Sequence, residues 1–154
     1  MRGVLAFGLL ACLVGAAQAQ KAAVPVDFDV DVTLSKLAAD KLAAAKEKII
    51  VAAYWGGEPT EKASKHDEGD GQISLGAERV TISGAGGRAH IKGSTFERAH
   101  IGWVKDGALE VLVNVYSARL SSGNNLLDCG LFQDSPAKSR EKPVSISCKL
   151  IGEK

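Results

Sequence analysis

The chain has 154 residues and is nearly neutral, with 19 lysines and arginines against 18 aspartates and glutamates. A chain of this length can bury one hydrophobic core but not two, so we expect a single domain. Binding to nucleic-acid phosphates needs clustered Lys and Arg, and the sequence has no such cluster. Nucleic acid is therefore not expected as a partner.

The beginning of the chain has the composition of a secretory signal peptide, and we expect residues 1–19 to be removed. Arg2 precedes an apolar run that begins at Gly3, and small residues surround the expected cleavage site after Ala19. The run is too short for a membrane-spanning helix and no similar run follows it, so the mature chain, residues 20–154, is expected to have no transmembrane segment. These features predict a periplasmic or secreted protein.

A lipoprotein signal is the alternative, because the residues Leu9-Leu10-Ala11-Cys12 resemble the motif at which such signals are cleaved and lipidated. The apolar segment before Cys12 would then be unusually short, and the bulky side chain of Leu10 fits that motif poorly. We therefore favour ordinary cleavage and expect no lipid anchor at Cys12.

Two cysteines, Cys129 and Cys148, remain after the predicted cleavage. An even number of cysteines in an exported chain is typical of disulfide bonding, and this pair is the only intramolecular combination in the mature chain. A disulfide that closes a loop of about 20 residues stabilises a fold by roughly 3 kcal/mol, through the entropy that the unfolded chain loses. We predict a buried, structural Cys129–Cys148 bridge.

The segments at the start of the mature chain predict a strand, a helix and a second strand. Residues 26–34 alternate apolar and polar side chains, which is the period of a half-buried strand. Residues 35–48 change to a helical period, with Ser35 as the expected N-cap, and predict a short amphipathic helix. The apolar run at 48–57 ends at a glycine pair and predicts a strand that lies in the middle of its sheet or is buried on both faces.

After a polar loop at 58–71, the rest of the chain predicts short strands that are separated mostly by glycine-containing turns. The strand-like segments are 72–75, 79–83, 88–92, 99–104, 108–120, 126–132 and 144–151. In the longest of them Tyr116 faces away from the valines, which places it at the surface or in a second layer. Repeated short strands are typical of an antiparallel sandwich or barrel. We predict one mainly β domain at residues 20–154, an antiparallel β-sandwich of immunoglobulin-like outline with one short helix near its start.

An acidic stretch with two glycines, KHDEGDGQIS at residues 65–74, resembles part of an EF-hand calcium loop over about five residues. The first and last ligand positions of that motif do not carry the required acids, and a strand pattern follows where a helix should, so the stretch is not an EF-hand. Asp67, Glu68 and Asp70, together with a more distant ligand, could still bind calcium weakly. The alternative, which we favour, is a solvated turn built from acids and glycines.

Histidines provide a second candidate metal site. His90 and His100 each precede an isoleucine in a strand-like segment, and adjacent antiparallel strands would bring the two rings together. With His66 they could hold zinc or copper. The sequence has none of the short His or Cys motifs that fix such a geometry. Strand alternation places both histidines on a solvent face, which we favour.

Short catalytic motifs are absent from the sequence. It contains no G-x-S-x-G motif, and its serines, such as Ser94, have no recognisable partner nearby. Because catalytic triads are assembled in space rather than in sequence, a small hydrolase stays open as an alternative. We predict no catalytic residues and a protein that is not an enzyme.

The function expected from these features is that of an exported, non-enzymatic binding domain of the cell envelope. Its loops at 56–71, 121–125 and 133–143 would contact an envelope protein or a small ligand, an inference that rests on architecture. One specific form is an inhibitor of an envelope enzyme or an immunity-type protein, in which the disulfide stiffens the loop at 133–143 and lowers the ordering cost of binding. A calcium- or transition-metal-binding module is the alternative, and no other cofactor is expected.

Overall fold

Two four-stranded sheets pack around one hydrophobic core in the structure, a computed structural model that describes residues 24–67 and 69–154. The predicted signal peptide, which includes Cys12, lies outside the described residues, and so does Glu68 of the acidic stretch. Among the described residues no helix is long and apolar enough to cross a membrane.

The strands, numbered in chain order, divide between two sheets. The first sheet contains β1 (Phe28–Leu34), β4 (Gly87–Ile91), β6 (Leu127–Cys129) and β8 (Val144–Leu150). The second sheet contains β2 (Lys48–Gly57), β3 (Ile73–Ser83), β5 (Glu110–Ser117) and β7 (Phe132–Asp134). The order across the first sheet is β4-β1-β8-β6, and across the second it is β3-β2-β5-β7. The connections contain helices α1 (Lys36–Ala44) and α2 (Pro136–Glu141) and 3-10 helices at Glu61–His66, Arg98–Trp103 and Lys105–Gly107.

The predicted β-sandwich is confirmed, with one departure from a purely antiparallel arrangement. β1 runs parallel to β8, with Val30 opposite Val144 and Leu34 opposite Cys148. The other pairs of named strands in the described residues are antiparallel. A parallel pair needs a crossover connection, and here most of the domain lies between the two strands.

The strand and helix predicted at the start of the mature chain are confirmed. The inward side chains of β1, such as Val30, are fully buried in the core, whereas Asp29 and Asp31 lie on its outer side. At the start of α1, Oγ of Ser35 accepts a hydrogen bond from the amide of Ala38. This is the N-cap that the sequence predicted, and it satisfies one of the free amides of the first turn.

The strand predicted at 99–104 is wrong, because this segment belongs to the 3-10 helix at Arg98–Trp103. The amide of His100 donates a local hydrogen bond to the carbonyl of Glu97, and the carbonyl of Trp103, at the end of the segment, accepts one from the amide of Thr60. A six-residue alternation that contains His and Gly is a weak strand signal, and local bonding between residues three apart satisfies the backbone here instead.

Two segments near the C-terminus also differ from their predictions. The single strand predicted at 126–132 is two short strands, β6 and β7, which belong to different sheets. The loop predicted at 133–143 contains the end of β7 and all of α2. Ser135 caps α2 by accepting a hydrogen bond from the amide of Lys138, and Pro136 lies in the first turn. Serine followed by proline is a helix-start signal, so this helix could have been predicted.

The predicted disulfide is confirmed. Cys129 of β6 and Cys148 of β8 lie directly opposite each other in an antiparallel pair and are joined through their sulfur atoms. Cys148 is 4% exposed and belongs to the core, as expected of a structural bridge. An intramolecular disulfide of this kind is compatible with an extracellular location.

Candidate functional site

The outer side of the second sheet, which we term the open face, is accessible to solvent. β2 is a central strand of this sheet, as predicted, and its alternate residues point to opposite sides. The inward side chains are fully buried in the core, namely Ile49, Val51, Ala53 and Trp55. On the outward side Tyr54 is half-buried, and Arg79 and Asn114, which face Ala52 from the two flanking strands, are exposed. This face can therefore contact another molecule.

A cleft of about 360 Å³, which we term the first cleft, opens on this face where β2 ends. Tyr54 and Leu112 lie opposite each other on β2 and β5 and supply its apolar surface. Its polar lining comes from Asp70, Gln72, Ser74, Glu110 and Gln133. A few convergent polar groups beside an apolar surface are typical of sites for small ligands.

A β-bulge in β3 lies beside the first cleft. Tyr54 pairs with Ala77 and Gly56 with Ser74, so two residues of β3, Leu75 and Gly76, lie opposite the single residue Trp55 of β2. Glycine is needed at position 56, because a Cβ there would lie 2.5 Å from the carbonyl oxygen of Ile73. Bulges bend a strand and redirect its side chains, and Ile73 at this close approach also lines the cleft.

One end of the open face is acidic. Oε2 of Glu110 accepts a 2.7 Å hydrogen bond from Nε2 of Gln133, which orients the carboxylate. Oδ1 of Asp70 accepts a 3.1 Å hydrogen bond from the amide of Gln72. Neither carboxylate forms an ion pair within residues 24–67 and 69–154. Two negative charges thus lie beside the first cleft without a neighbouring cation from the described chain.

The other end of the open face is basic. The guanidinium of Arg79 lies over the ring of Tyr54, 5.6 Å from its centroid, in a cation–π arrangement. Hydrogen bonds to the hydroxyl groups of Tyr116 and Tyr54 raise the pKa of Arg79. A second cleft, of about 340 Å³, is lined by Tyr54, Asn114, Tyr116, Arg119 and Asn125. In the part of the chain that the structure describes, neither Arg79 nor Arg119 has an ion-pair partner.

The two clefts combine residues from the predicted contact loops with residues from the strands. Each of the three loops supplies a lining residue, and these are Asp70, Asn125 and Gln133. Sequence reasoning missed Leu112 as a site residue, because its proximity to Tyr54 depends on the pairing of two distant strands. The available signal for Leu112 was its outward position between two buried valines of β5.

The acidic stretch forms the turn that precedes β3. Oδ1 of Asp67 accepts hydrogen bonds from the amides of Gly69, at 2.8 Å, and Gly71, at 3.0 Å. These bonds lower the pKa of Asp67. Both glycines have positive φ angles, 105° and 77°, which other residues rarely adopt. The geometry is that of a turn held by its own carboxylate, and Asp70 of the same turn lines the first cleft.

The three histidines lie in two places. His90 is in β4, as predicted, and its Nδ1 is 2.8 Å from Oδ1 of Asp29 on the neighbouring strand. His100 lies in a 3-10 helix rather than in a strand, which corrects the sequence-based placement. Its ring stacks on Trp103 with centroids 3.8 Å apart, and the ring of His66 stacks on the same indole at 4.2 Å.

This stack separates the two imidazoles that share Trp103. Their planes are within 8° and 4° of the indole plane, and two rings so close to one centroid must cover its opposite faces. Rings on opposite faces are roughly 7 Å apart, twice the usual stacking distance. Two nitrogens that bind one zinc ion lie within about 4 Å of each other, because each zinc–nitrogen bond is about 2 Å long. His66 and His100 therefore cannot bind one ion in this arrangement.

Metal binding stays a prediction for both candidate sites. Within the described residues no three His, Cys, Asp or Glu side chains are grouped as a metal site requires. The acidic candidate also includes Glu68, which lies outside the described residues.

Ser94, the serine considered for catalysis, is hydrogen-bonded to a buried carboxylate. Its Oγ and its amide donate to Oε2 of Glu78, at 3.1 and 2.9 Å, and the amide of Lys92 donates to Oε1. Burial acts to raise the pKa of Glu78, but these hydrogen bonds outweigh it and lower the pKa. The contacts hold the chain after β4 against β3.

Comparison with known proteins assigns no family or function to the chain. No family model matches the chain, and the comparisons with curated proteins and with solved structures give no match either. Function is therefore inferred from the charges, shape and lining residues of the open face.

Proposed function

We propose that the protein is an exported, non-enzymatic binding domain that holds a small ligand on the open face. The observation that carries this proposal is the first cleft, where the apolar surface of Tyr54 and Leu112 adjoins hydrogen-bonding groups. Its volume of about 360 Å³ falls in the range of small-molecule sites. The predicted signal peptide and the Cys129–Cys148 disulfide support export.

The lining of the first cleft supports binding rather than catalysis. Its residues include neither His nor Cys, so its one serine, Ser74, has no imidazole in the cleft to activate it. Asp70 and Glu110 are exposed carboxylates. Neither lies in the kind of apolar pocket that turns a carboxyl group into a general acid. These groups are better suited to orienting a ligand than to transferring protons.

The structure of the segment 133–143 favours a small ligand over the inhibitor-type role that the loops alone suggested. An inhibitor would present this segment outward as a stiffened surface. Here it contains α2, in which Pro136 and Ser139 are buried against the fold. The residue that it directs to the first cleft is Gln133, which supports a role in lining a ligand site.

The proposal is tested by titrating the mature, oxidised and nitrogen-15-labelled protein with tetra-alanine, with tetra-alanine blocked at both ends, and with chitobiose. We expect at least one of these probes to shift the amide resonances of Gly56, Ser74 and Leu112, which line the first cleft. The variant Leu112→Arg places a charge in the cleft and should abolish the shifts. The matched variant Thr33→Arg, on the outer side of the first sheet, should retain them. If none of the probes shifts these amides, the proposal is wrong.

A further inference from the structure

Building on the proposed function, we infer that the ligand of the open face is a short extended peptide, with its ammonium group at the acidic end and its carboxylate at the basic end. Asp70 and Glu110 lie at one end of this face. Arg79 and Arg119 lie at the other, and Tyr54 lines the clefts at both ends. Complementary charges determine which partner fits and in which direction it binds.

The spacing of the two ends corresponds to about four residues of extended chain. Glu110 is opposite Gly56, and Arg79 is opposite Ala52, so the two charged residues are four positions apart along β2. At about 3.3 Å per residue the backbone positions of Glu110 on β5 and Arg79 on β3 are about 13 Å apart along the direction of β2. A fully extended tetrapeptide covers about the same length, at roughly 3.3–3.6 Å per residue.

The surface between the charged ends suits a peptide backbone. Tyr54 and Leu112 are half-buried and offer apolar contact to ligand side chains. Asn114 is exposed on the same face and makes no side-chain hydrogen bond within the described residues. Each peptide unit needs both a donor and an acceptor, and the carboxamide of Asn114 and the side-chain oxygen of Gln133 supply these groups.

The basic end is held in place by the fold before any ligand arrives. Arg119 has a positive φ of 60°, which is uncommon for a residue other than glycine. The next two amides, of Leu120 and Ser121, donate hydrogen bonds of 3.1 and 2.8 Å to the buried carboxylate of Glu47. A backbone fixed in this way loses little freedom when a ligand binds, which favours affinity. The unusual φ of Arg119 thus fits a position that the fold maintains for binding.

The test compares tetra-alanine with its N-acetylated form, its C-amidated form and the form blocked at both ends, each titrated into the mature, oxidised protein. We expect either block to weaken binding by about tenfold or more, because each removes a charge-assisted hydrogen bond. The double variant Asp70→Asn/Glu110→Gln removes both carboxylates of the acidic end and should bind the free and N-acetylated peptides equally. The double variant Arg79→Gln/Arg119→Gln removes both cations of the basic end and should bind the free and C-amidated peptides equally. The control Asp128→Asn, an exposed carboxylate on the first sheet, should keep both differences.

The outcomes separate this inference from the binding role on which it rests. If the doubly blocked peptide binds as tightly as the free one, or chitobiose alone reaches the first cleft, the inference is wrong and the binding role stands. If no probe perturbs the cleft, both are wrong. If the effect of either block persists in the double variant that lacks the corresponding charges, the protein recognises the peptide charges elsewhere, and the inference is again wrong.

Discussion

Oγ of Ser121 donates a 2.6 Å hydrogen bond to Oε2 of Glu47, a residue 74 positions earlier in the chain. The backbone amides of Lys48, Leu120 and Ser121 donate to the same carboxylate, which belongs to a residue only 3% exposed. Burial acts to raise the pKa of Glu47, but these hydrogen bonds outweigh it and lower the pKa to about 2. Glu47 therefore joins the turn between α1 and β2 to the loop that follows β5.

Replacing Glu47 by glutamine should destabilise the protein. The amide NH₂ of the new side chain would face amide and hydroxyl donors, so buried donors would lose their acceptor. We expect Glu47→Gln to lower the free energy of unfolding at pH 7 by about 1–3 kcal/mol, measured by denaturant titration. The control Glu58→Gln alters an exposed glutamate and should stay within about 0.5 kcal/mol of the wild type. Equal stability of the two variants would contradict this account.

The same carboxylate should make stability depend on pH in the acid range. The pKa of Glu47 is about 2 in the folded protein and about 4.5 ordinarily, so the unfolded chain takes up the proton first as the pH falls. Its stabilising contribution is complete above pH 4.5 and is lost between about pH 4.5 and pH 2, by about 2–3 kcal/mol. The difference in unfolding free energy between wild type and Glu47→Gln should shrink over this window. A constant difference would show that Glu47 does not titrate in this way.

The parts of the fold that could be predicted from the sequence are those set by local pattern. Alternation over residues 26–34 gives β1, because burial of one side of a strand imposes a period of two. Ser35 followed by a helical period gives α1, because an N-cap and one apolar stripe are enough to specify a short helix. Cys129 and Cys148 could be paired because they are the two cysteines that the predicted cleavage leaves in the chain.

The parts that could not be predicted depend on long-range pairing. Asp70, Tyr54, Glu110 and Gln133 meet at the first cleft because β3, β2, β5 and β7 are neighbours in that order, and local sequence does not specify which strands pair. The pattern around His100 is too short to distinguish a strand from a 3-10 helix. The contact of its ring with an indole is decided by tertiary packing.

The stack of His66 and His100 on Trp103 should contribute to stability. Each imidazole covers one face of the indole, so His66→Ala and His100→Ala should each lower the free energy of unfolding by about 0.5–1.5 kcal/mol. Each substitution should also move the tryptophan fluorescence to longer wavelength, because the indole gains contact with water. The control His90→Ala changes an imidazole that lies in β4 and is paired with Asp29 rather than with Trp103, and it should leave the emission unchanged. Unchanged emission in both stack variants would contradict the geometry.

Reduction of the Cys129–Cys148 disulfide should destabilise the fold, and it requires no substitution of any residue. The bridge spans a sequence separation of 19 residues, for which the entropic model gives a stabilisation of about 3 kcal/mol. Denaturant titrations with and without a reducing agent measure the difference, and mass spectrometry of the alkylated protein verifies that the bond is open. Coincident unfolding curves would mean that the pairing of β6 with β8 is equally stable without the covalent link.

Gly56 lines the first cleft, and alanine there tests how the cleft is built. A Cβ at position 56 would lie 2.5 Å from the carbonyl oxygen of Ile73, a backbone atom that cannot move without shifting β3. We expect Gly56→Ala to lower the free energy of unfolding by about 1–3 kcal/mol and to shift the amide resonance of Ser74.

The matched control for that change is Gly123→Ala, where a Cβ would meet no atom within 4 Å. Alanine restricts the unfolded chain at both positions and by itself raises stability by up to about 1 kcal/mol. A loss of unfolding free energy at position 56 together with no loss at position 123 therefore isolates the effect of the clash between the Cβ and the carbonyl oxygen of Ile73. If both variants are equally stable, the close approach of β2 to Ile73 does not depend on glycine at position 56.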